Sequence, residues 1–244
     1  MLEGLYSAAA GMSAQQEQLD AIGNDLANAS TTGYKAQRVG FQDLLYNQVN
    51  QAGTSTTTGA GALASIIGRD GAQGSVQQTG RPLDLAIQGE GFLQVKLSSG
   101  QLSLTRNGAL SVDGQGHLVT GDGSLLDPPI TLPAKVSADE VTIGPDGTVS
   151  AGATKLGQIK LMTVAAPDKL LADGHGGFTA NSASGAAKLA GAGSHLLQGA
   201  LEGSNVDMGS EMVTMMSTQR NYQLASTAIK TQDQMLAIAN QLRT

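Results

Sequence analysis

The sequence predicts an α+β chain, with long N- and C-terminal helices packing together as a coiled-coil-like pair and a central antiparallel β-rich domain between them. Two periodicities predict it. Leu5, Met12, Leu19 and Leu26 recur at heptad spacing near the start, and Met208, Met215, Tyr222, Ile229 and Leu236 do so near the end. Between these ends, short runs alternate apolar and polar residues and are broken by Gly, Asn-Gly and Asp-Gly turn signals, the period and punctuation of strands. The chain accordingly divides into a terminal helix over 1–35, a Gly/Thr-rich extended segment over 36–80, a β-rich middle over 81–193 and a second terminal helix over 194–244. An apolar stripe at each end marks ends that meet each other and other copies. That points to assembly rather than catalysis.

Residues 3–29 read as one helix, because Leu5, Ala8, Met12, Gln15, Leu19, Ile22, Leu26 and Ala29 alternate steps of three and four. At ~1.5 Å per residue it would be ~40 Å long. Ser30-Thr31-Thr32-Gly33 stops it, with a Gly able to take positive φ. Phe41 to Tyr46 reads as a further short helix or an extended arm. Residues 50–80 are rich in Gly, Thr, Ser and Ala, centred on Thr54 to Gly59. They read as a flexible loop or as an extended edge. A stretch of about thirty residues is long for a structureless loop, which favours a segment that orders on assembly.

In the middle, Leu83, Leu85 and Ile87 alternate with Asp84, Ala86 and Gln88, and Phe92, Gln94 and Lys96 alternate with Leu93, Val95 and Leu97. Many short strands at this spacing indicate an antiparallel sandwich or barrel-like domain. The Ala/Gly/Ser-rich stretch 180–200 reads as a return linker. Residues 205–242 form the second helix, ~55 Å if continuous, with Asp207 or Ser210 as its cap. Besides the heptad stripe it carries Leu224, Ala228, Met235, Ile238 and Leu242 on another side. A helix apolar on two sides is buried on two sides. One partner is the N-terminal helix, and the other comes from elsewhere.

Composition narrows the function classes. Charged residues are 14% of the 244, against roughly 25% in an average globular protein. Either neighbours cover part of the surface or Ser, Thr and Asn do. Aromatics are 3% and Trp is absent, so the core is aliphatic. A net charge of −6 without any Lys/Arg cluster argues against nucleic acid. No apolar run is long enough to span a membrane. A cleaved secretory signal is not expected, since the first basic residue is Lys35. With no cysteine, disulfides, thiolate metal sites and a Cys nucleophile are excluded.

No chemistry stands out. His117, His175 and His195 lack metal-helix or triad spacing, and His175 reads as part of a surface turn. Gly89-Glu90-Gly91 lacks the third glycine of a dinucleotide loop. Asp139-Glu140 reads as a solvated turn, and Met208, Met212, Met215 and Met216 as adaptable packing. No catalytic, cofactor-binding or metal residue is expected, and no cofactor.

Three motifs in order then carry a resemblance. The first runs from Gly23 to Lys35 and includes Asn24, Leu26, Ala27, Asn28, Thr31, Gly33 and Tyr34, with Asp25 where a second Asn is usual. The second comprises Asp84 to Phe92 and Thr105-Arg106-Asn107-Gly108. The third comprises Glu202 to Asp207, including Asn205, then Gln219-Arg220-Asn221-Tyr222 and Asp233 to Leu236. Together they resemble the rod and hook axial proteins of the bacterial flagellum. The resemblance implies a non-enzymatic structural subunit of the basal-body rod that transmits torque to the hook. It implies a helical homopolymer with terminal helices inward and β domains outward, partnered by other rod and hook proteins. It also implies passage through the flagellar type III export apparatus without a cleaved signal. The assembly interface would then be Leu5, Met12, Leu19, Ile22, Leu26, Met215, Tyr222, Ile229 and Leu236. Length and a single middle domain suit a rod rather than a hook protein. Asp43 to Tyr46 with the insert after it, and Asp233 to Leu236 near the end, resemble a distal rod member, whereas Arg81 to Asp84 and Leu201 to Asn205 resemble a proximal one as much. The distal reading is favoured; a proximal or hook-like subunit, or a secreted β-domain binding module, stays open.

Overall fold

The computed structural model describes residues 2–44, 47–51, 54–59, 61–133, 136–191 and 193–241. Leu45, Tyr46 and Leu242 lie outside the described residues, as does the side chain of Leu236. The chain forms two compact units, Met1–Ala27 with Gln37–Ile67 and Asp207–Thr244, and Asn28–Ala36 with Gly68–Val206.

The first unit holds helix α1, Leu2–Ala27, and helix α2, Met208–Gln241, packed on one another. A Cβ placed on Gly4 would stand 3.4 Å from the Gln232 side chain, and Glu211 feels the charge of Asp25. Early α1 thus lies beside late α2 and late α1 beside early α2, so the helices run antiparallel. Asp207 caps α2 by accepting the Gly209 amide at 2.9 Å. Thr214, Thr218, Thr227 and Thr231 satisfy their hydroxyls on the carbonyl four residues back, which keeps mid-helix Thr compatible with the helix.

The most deeply buried side chains of α1 are Ala14, Ala21, Ile22 and Asp25. Leu5, Met12, Leu19 and Leu26 are only half-buried. Small residues mark the side on which other backbone comes close: a Cβ on Gly61 would meet Ala10 Cβ at 2.8 Å, and Asp25 accepts the Gln37 amide at 3.1 Å. Strand Gln37–Asp43, paired with Ala62–Arg69, packs here. The stretch from Phe41 is therefore strand and not helix. On α2, Thr218 is buried, Met215 and Ile229 are half-buried, and Tyr222 is 36% exposed. Its other side leaves Met212, Val213, Met216, Leu224, Met235 and Ile238 exposed.

The Gly/Thr-rich segment already has strand structure within one chain. Asn47–Gln51 pairs antiparallel with Thr54–Thr58, with Asn47 opposite Thr58 and Gln51 opposite Thr54. Of the two readings, a flexible loop and an extended edge, these residues take the extended one: a Thr-rich run has high strand propensity, and an antiparallel neighbour a few residues away satisfies its backbone.

The second unit is antiparallel β. Its main sheet runs, neighbour to neighbour, Leu171–Ala172, Phe178–Thr179, Leu102–Thr105, Phe92–Lys96, Leu125–Leu126, Leu118–Thr120 and Leu110–Val112, with Leu161–Thr163 also pairing Phe92–Lys96. Val141–Ile143, Thr148–Ala151 and Thr154–Gln158 make a three-stranded sheet. Strand Phe92–Lys96 feeds two cores. Leu93 and Val95 join the main aliphatic cluster, while Phe92 packs with Leu104, Val164, Leu170 and Phe178. The rings of Phe92 and Phe178 meet edge to face with centroids 5.9 Å apart.

Two expectations are corrected here. The run Leu83–Ile87 does not show a polar face: Asp84 and Ala86 are as buried as Leu85 and Ile87. Asp84 Oδ2 accepts the Thr79 hydroxyl at 2.6 Å, and Oδ1, without a hydrogen bond among the described residues, lies 3.7 Å from Arg81 Nη1. The supposed return linker is also structural. His195–Gln198 pairs with Leu85–Gln88, and Ala200–Glu202 pairs with Val76–Gln78. Of the segment drawn as 194–244, residues up to Val206 belong to this β unit and helix begins at Met208. Gly199, at φ 75°, makes the turn between two strands whose residues Leu196 and Ala200 reach the core.

Candidate functional site

The three sequence motifs meet at a buried ion cluster inside the β unit. Lys35 comes from the turn segment after α1, Arg106 from the residue following strand Leu102–Thr105, and Glu202 from the end of strand Ala200–Glu202. Their side chains are 5%, 5% and 0% exposed. Lys35 Nζ lies 2.6 Å from Glu202 Oε1, and Arg106 Nη1 lies 2.8 Å from Glu202 Oε2. The Gly74 amide donates to Oε1 at 3.0 Å, Lys35 donates to Ala72 O at 2.6 Å, and Arg106 Nη2 donates to Gly89 O at 2.8 Å. One carboxylate thus serves two cations, and backbone groups take up most of the remaining hydrogen-bonding capacity.

Burial alone would raise the Glu202 carboxyl. The Lys35 hydrogen bond, the Arg106 charge and hydrogen bond and the Gly74 amide outweigh it and hold the group below the ordinary carboxylate range. For Lys35 burial is the largest influence and Arg106 adds repulsion. The shared Glu202 does not fully compensate, so the ammonium sits below its usual value.

Backbone contacts lock the same place. The Gly33 amide donates to Glu202 O at 2.8 Å, and Asn205 N–H donates to Tyr34 O at 3.3 Å. Asn205 Oδ1 accepts the Ala36 amide at 2.8 Å, while Nδ2 donates to Asp70 O and Ala72 O, both at 3.1 Å. Gly33 is at φ 70°, and a Cβ there would fall 2.6 Å from the Arg106 carbonyl carbon. Only Gly fits that approach. It does not cap α1, which ends at Ala27. Thr31 donates its hydroxyl to Asn28 Oδ1 at 3.1 Å and shapes the turn.

Of the motif residues, Asn28, Thr31, Gly33, Tyr34 and Asn205 lie in this unit, whereas Asn24, Leu26 and Ala27 lie on α1, and Gln219 and Arg220 are exposed on α2. Arg106 and Glu202 form part of the motifs but carry no sequence-level role. Their signal was present: ionic residues inside Gly- and Leu-rich stretches of a chain with few charges. His117 pairs with Asp113 at 3.1 Å, His175 lies in an exposed turn, and His195 opens a strand. Among the described residues no three His, Asp or Glu are placed to hold a metal, and no helix is long and apolar enough to cross a membrane.

Comparison with known proteins gives the same picture. Residues 5–35 match the family described as flagella basal body rod protein, 86–151 match the flagellar hook protein FlgE/F/G D1 domain, and 197–242 match the flagellar basal body rod FlgEFG protein C-terminal family. The flagellar basal-body rod protein FlgG of Caulobacter vibrioides is 39% identical, over 99% of this chain and 100% of its own length. That of Borreliella burgdorferi is 38% identical over 100% and 99%. That of Bacillus subtilis is 36% identical over 97% of each.

Proposed function

The chain belongs to the flagellar basal-body rod protein family, and on that premise we propose that its terminal helices polymerise it into the shaft. It is a structural subunit of the flagellar basal-body rod, of the distal type, and its place is the flagellar basal body. As our reading, copies stack helically with α1 and α2 in a coiled-coil-like inner layer, next to other rod and hook proteins, after passage through the export apparatus. Torque then passes from helix to β unit in each copy and from copy to copy through the helices.

The observation that carries this reading is the second apolar side of α2. Met212, Val213, Met216, Leu224, Met235 and Ile238 are exposed in the single chain. Six large apolar side chains exposed along one helix are the mark of an interaction site. The half-buried Leu5, Met12, Leu19, Leu26, Met215 and Ile229, with Ile22, Tyr222 and Leu236, complete the assembly surface we propose.

Leu19→Asp and Ile229→Asp test it. Each puts an unpaired charge into a packed seam at several kcal/mol per site, repeated in every copy, so swimming and recovery of basal bodies should fail. Leu19→Met and Ile229→Leu roughly keep volume, cost less than ~1.5 kcal/mol and should assemble. Alanine at His117, His175 or His195 should leave motility intact. Secretion of each variant is measured separately, because the N-terminal region also serves export in this reading. A secreted Leu19→Asp chain that still builds rods would remove the terminal-helix account.

A further inference from the structure

Beside the ion cluster, within the β unit, lies a cavity of about 250 Å³. Lys35, Arg69 and Arg106 supply its cations, and Phe92, Leu170 and Phe178 its apolar wall. Among the described residues, one carboxylate is in ion-pair contact with any of these three cations. That carboxylate is Glu202, paired with both Lys35 and Arg106. Among the described residues no carboxylate lies within ion-pair distance of Arg69; its guanidinium lies 5.6 Å from the Tyr34 ring centre and 5.4 Å from that of Phe178, and it donates to Lys35 O at 3.0 Å. Asp70 and Glu90 also line the space. Asp70 acts on Lys35 through its charge without an ion-pair contact and accepts the Ala72 amide at 3.1 Å, and Glu90 is exposed. Arg106 also keeps a buried Nε–H with no acceptor, although its side chain is only 5% exposed. A buried donor left unmade is costly, and native structures seldom retain one without a reason.

An acceptor that fits these features carries a negative charge, has two oxygens to accept from Arg69 and from the free Nε–H of Arg106, and has an apolar body to lie against the Phe92, Leu170 and Phe178 wall. The volume is below the roughly 300–1,000 Å³ of drug-sized ligand pockets, so the group is small. We propose that this cavity binds a carboxylate on a short apolar stem, presented either by a free organic acid or by an acidic side chain of another protein chain. The site is independent of the polymerisation reading, since all its lining residues belong to the β unit of one chain.

Sodium benzoate is the probe, titrated into the soluble full-length subunit while the Nε–Hε signals of Arg69 and Arg106 are followed by NMR. Saturable shifts at both signals are expected, half-complete at about millimolar concentration or below. Acetate, which lacks the apolar body, should bind about tenfold more weakly, and benzylammonium should not bind. Arg69→Gln should weaken benzoate binding about tenfold, and Arg69→Lys, which keeps the charge but not the fork, should fall between. Absence of saturation overturns the proposal. So does equal response to acetate and benzoate, which would mean an adventitious ion only, or undiminished affinity in a folded Arg69→Gln chain. Sedimented basal bodies with radiolabelled benzoate then separate the sources. Uptake matching the free subunit assigns the site to a free acid; exclusion from the assembled form, with uptake by the subunit, assigns it to an acidic side chain of a neighbouring chain.

Discussion

Removing the charge of Glu202 leaves Lys35 and Arg106 buried together without a counter-ion. Glu202→Gln is therefore expected to destabilise the β unit by about 3 kcal/mol or more, read as a fall in its denaturant midpoint at neutral pH. The sign of the pH effect follows from the direction of the shift. The folded carboxyl is held below its unfolded value, so its contribution is complete above the ordinary carboxylate pKa of about 4.3 and is lost as pH falls through the lower folded value. The Gln variant should lack that acid-side loss; an unchanged acid profile would count against the cluster. Gly33→Ala, forced to positive φ and against the Arg106 backbone, should cost at least about 1 kcal/mol, measured the same way. Little of this was legible in the sequence. Lys35, Arg106 and Glu202 are far apart along the chain, and only the fold brings them together. Gly33 was visible as a positive-φ candidate, but its reason is a close approach to a distant segment and not a helix end.

At the scale of the element, Glu211 in the first turn of α2 is the informative charge. Burial, with Asp25 and Asp207 nearby, raises its carboxyl above the ordinary value. A raised folded carboxyl means the folded state binds the extra proton, so the contact between α1 and α2 is weaker at neutral pH than just below the raised value. Glu211→Gln should strengthen the helix pair by less than about 1 kcal/mol near pH 7, seen as a higher helical melting temperature, and the gain should vanish in acid. A loss of stability at pH 7 would show that the helix dipole outweighs the neighbouring carboxylates. Both helices and the strands Leu85–Gln88 and Phe92–Lys96 were readable, because 3.6 and 2 are properties of local pattern. Depth of burial was not. The leucine and methionine seam marks the bulky side of α1, yet Ala14 and Ala21 are buried deeper, which a heptad stripe of large residues does not record. Likewise Asp84 looked solvent-facing by alternation, whereas strands covered on both sides read as continuous runs.

For the molecule as a whole, limited proteolysis of the soluble subunit should remove 1–27 and 207–244 and nick the 37–67 excursion. Each is covered mainly by its own thin unit, and helices draw most of their stability from packing. Residues 28–36 should nevertheless stay bound to 68–206 through the Gly33, Lys35 and Asn205 contacts. Native mass spectrometry of the digest reads this directly, and a β core that has shed the 28–36 peptide would mean the motifs do not clamp it. The α+β architecture was legible as a whole, but the boundaries at 35/36 and 193/194 were not. A turn segment and two short strands take their place from pairing with distant residues, which no local pattern records.

The chain passes between its two units four times, at 27/28, 36/37, 67/68 and 206/207. Asn205, a residue before the last crossing pair, is hydrogen-bonded to Tyr34, Ala36, Asp70 and Ala72, close to two of the others. In the shaft we propose, this is redundancy of the kind found in a multi-stranded cable. Breaking one peptide link between the units leaves three in parallel, and shear applied to the helices is divided among several covalent strands before any hydrogen bond has to bear it.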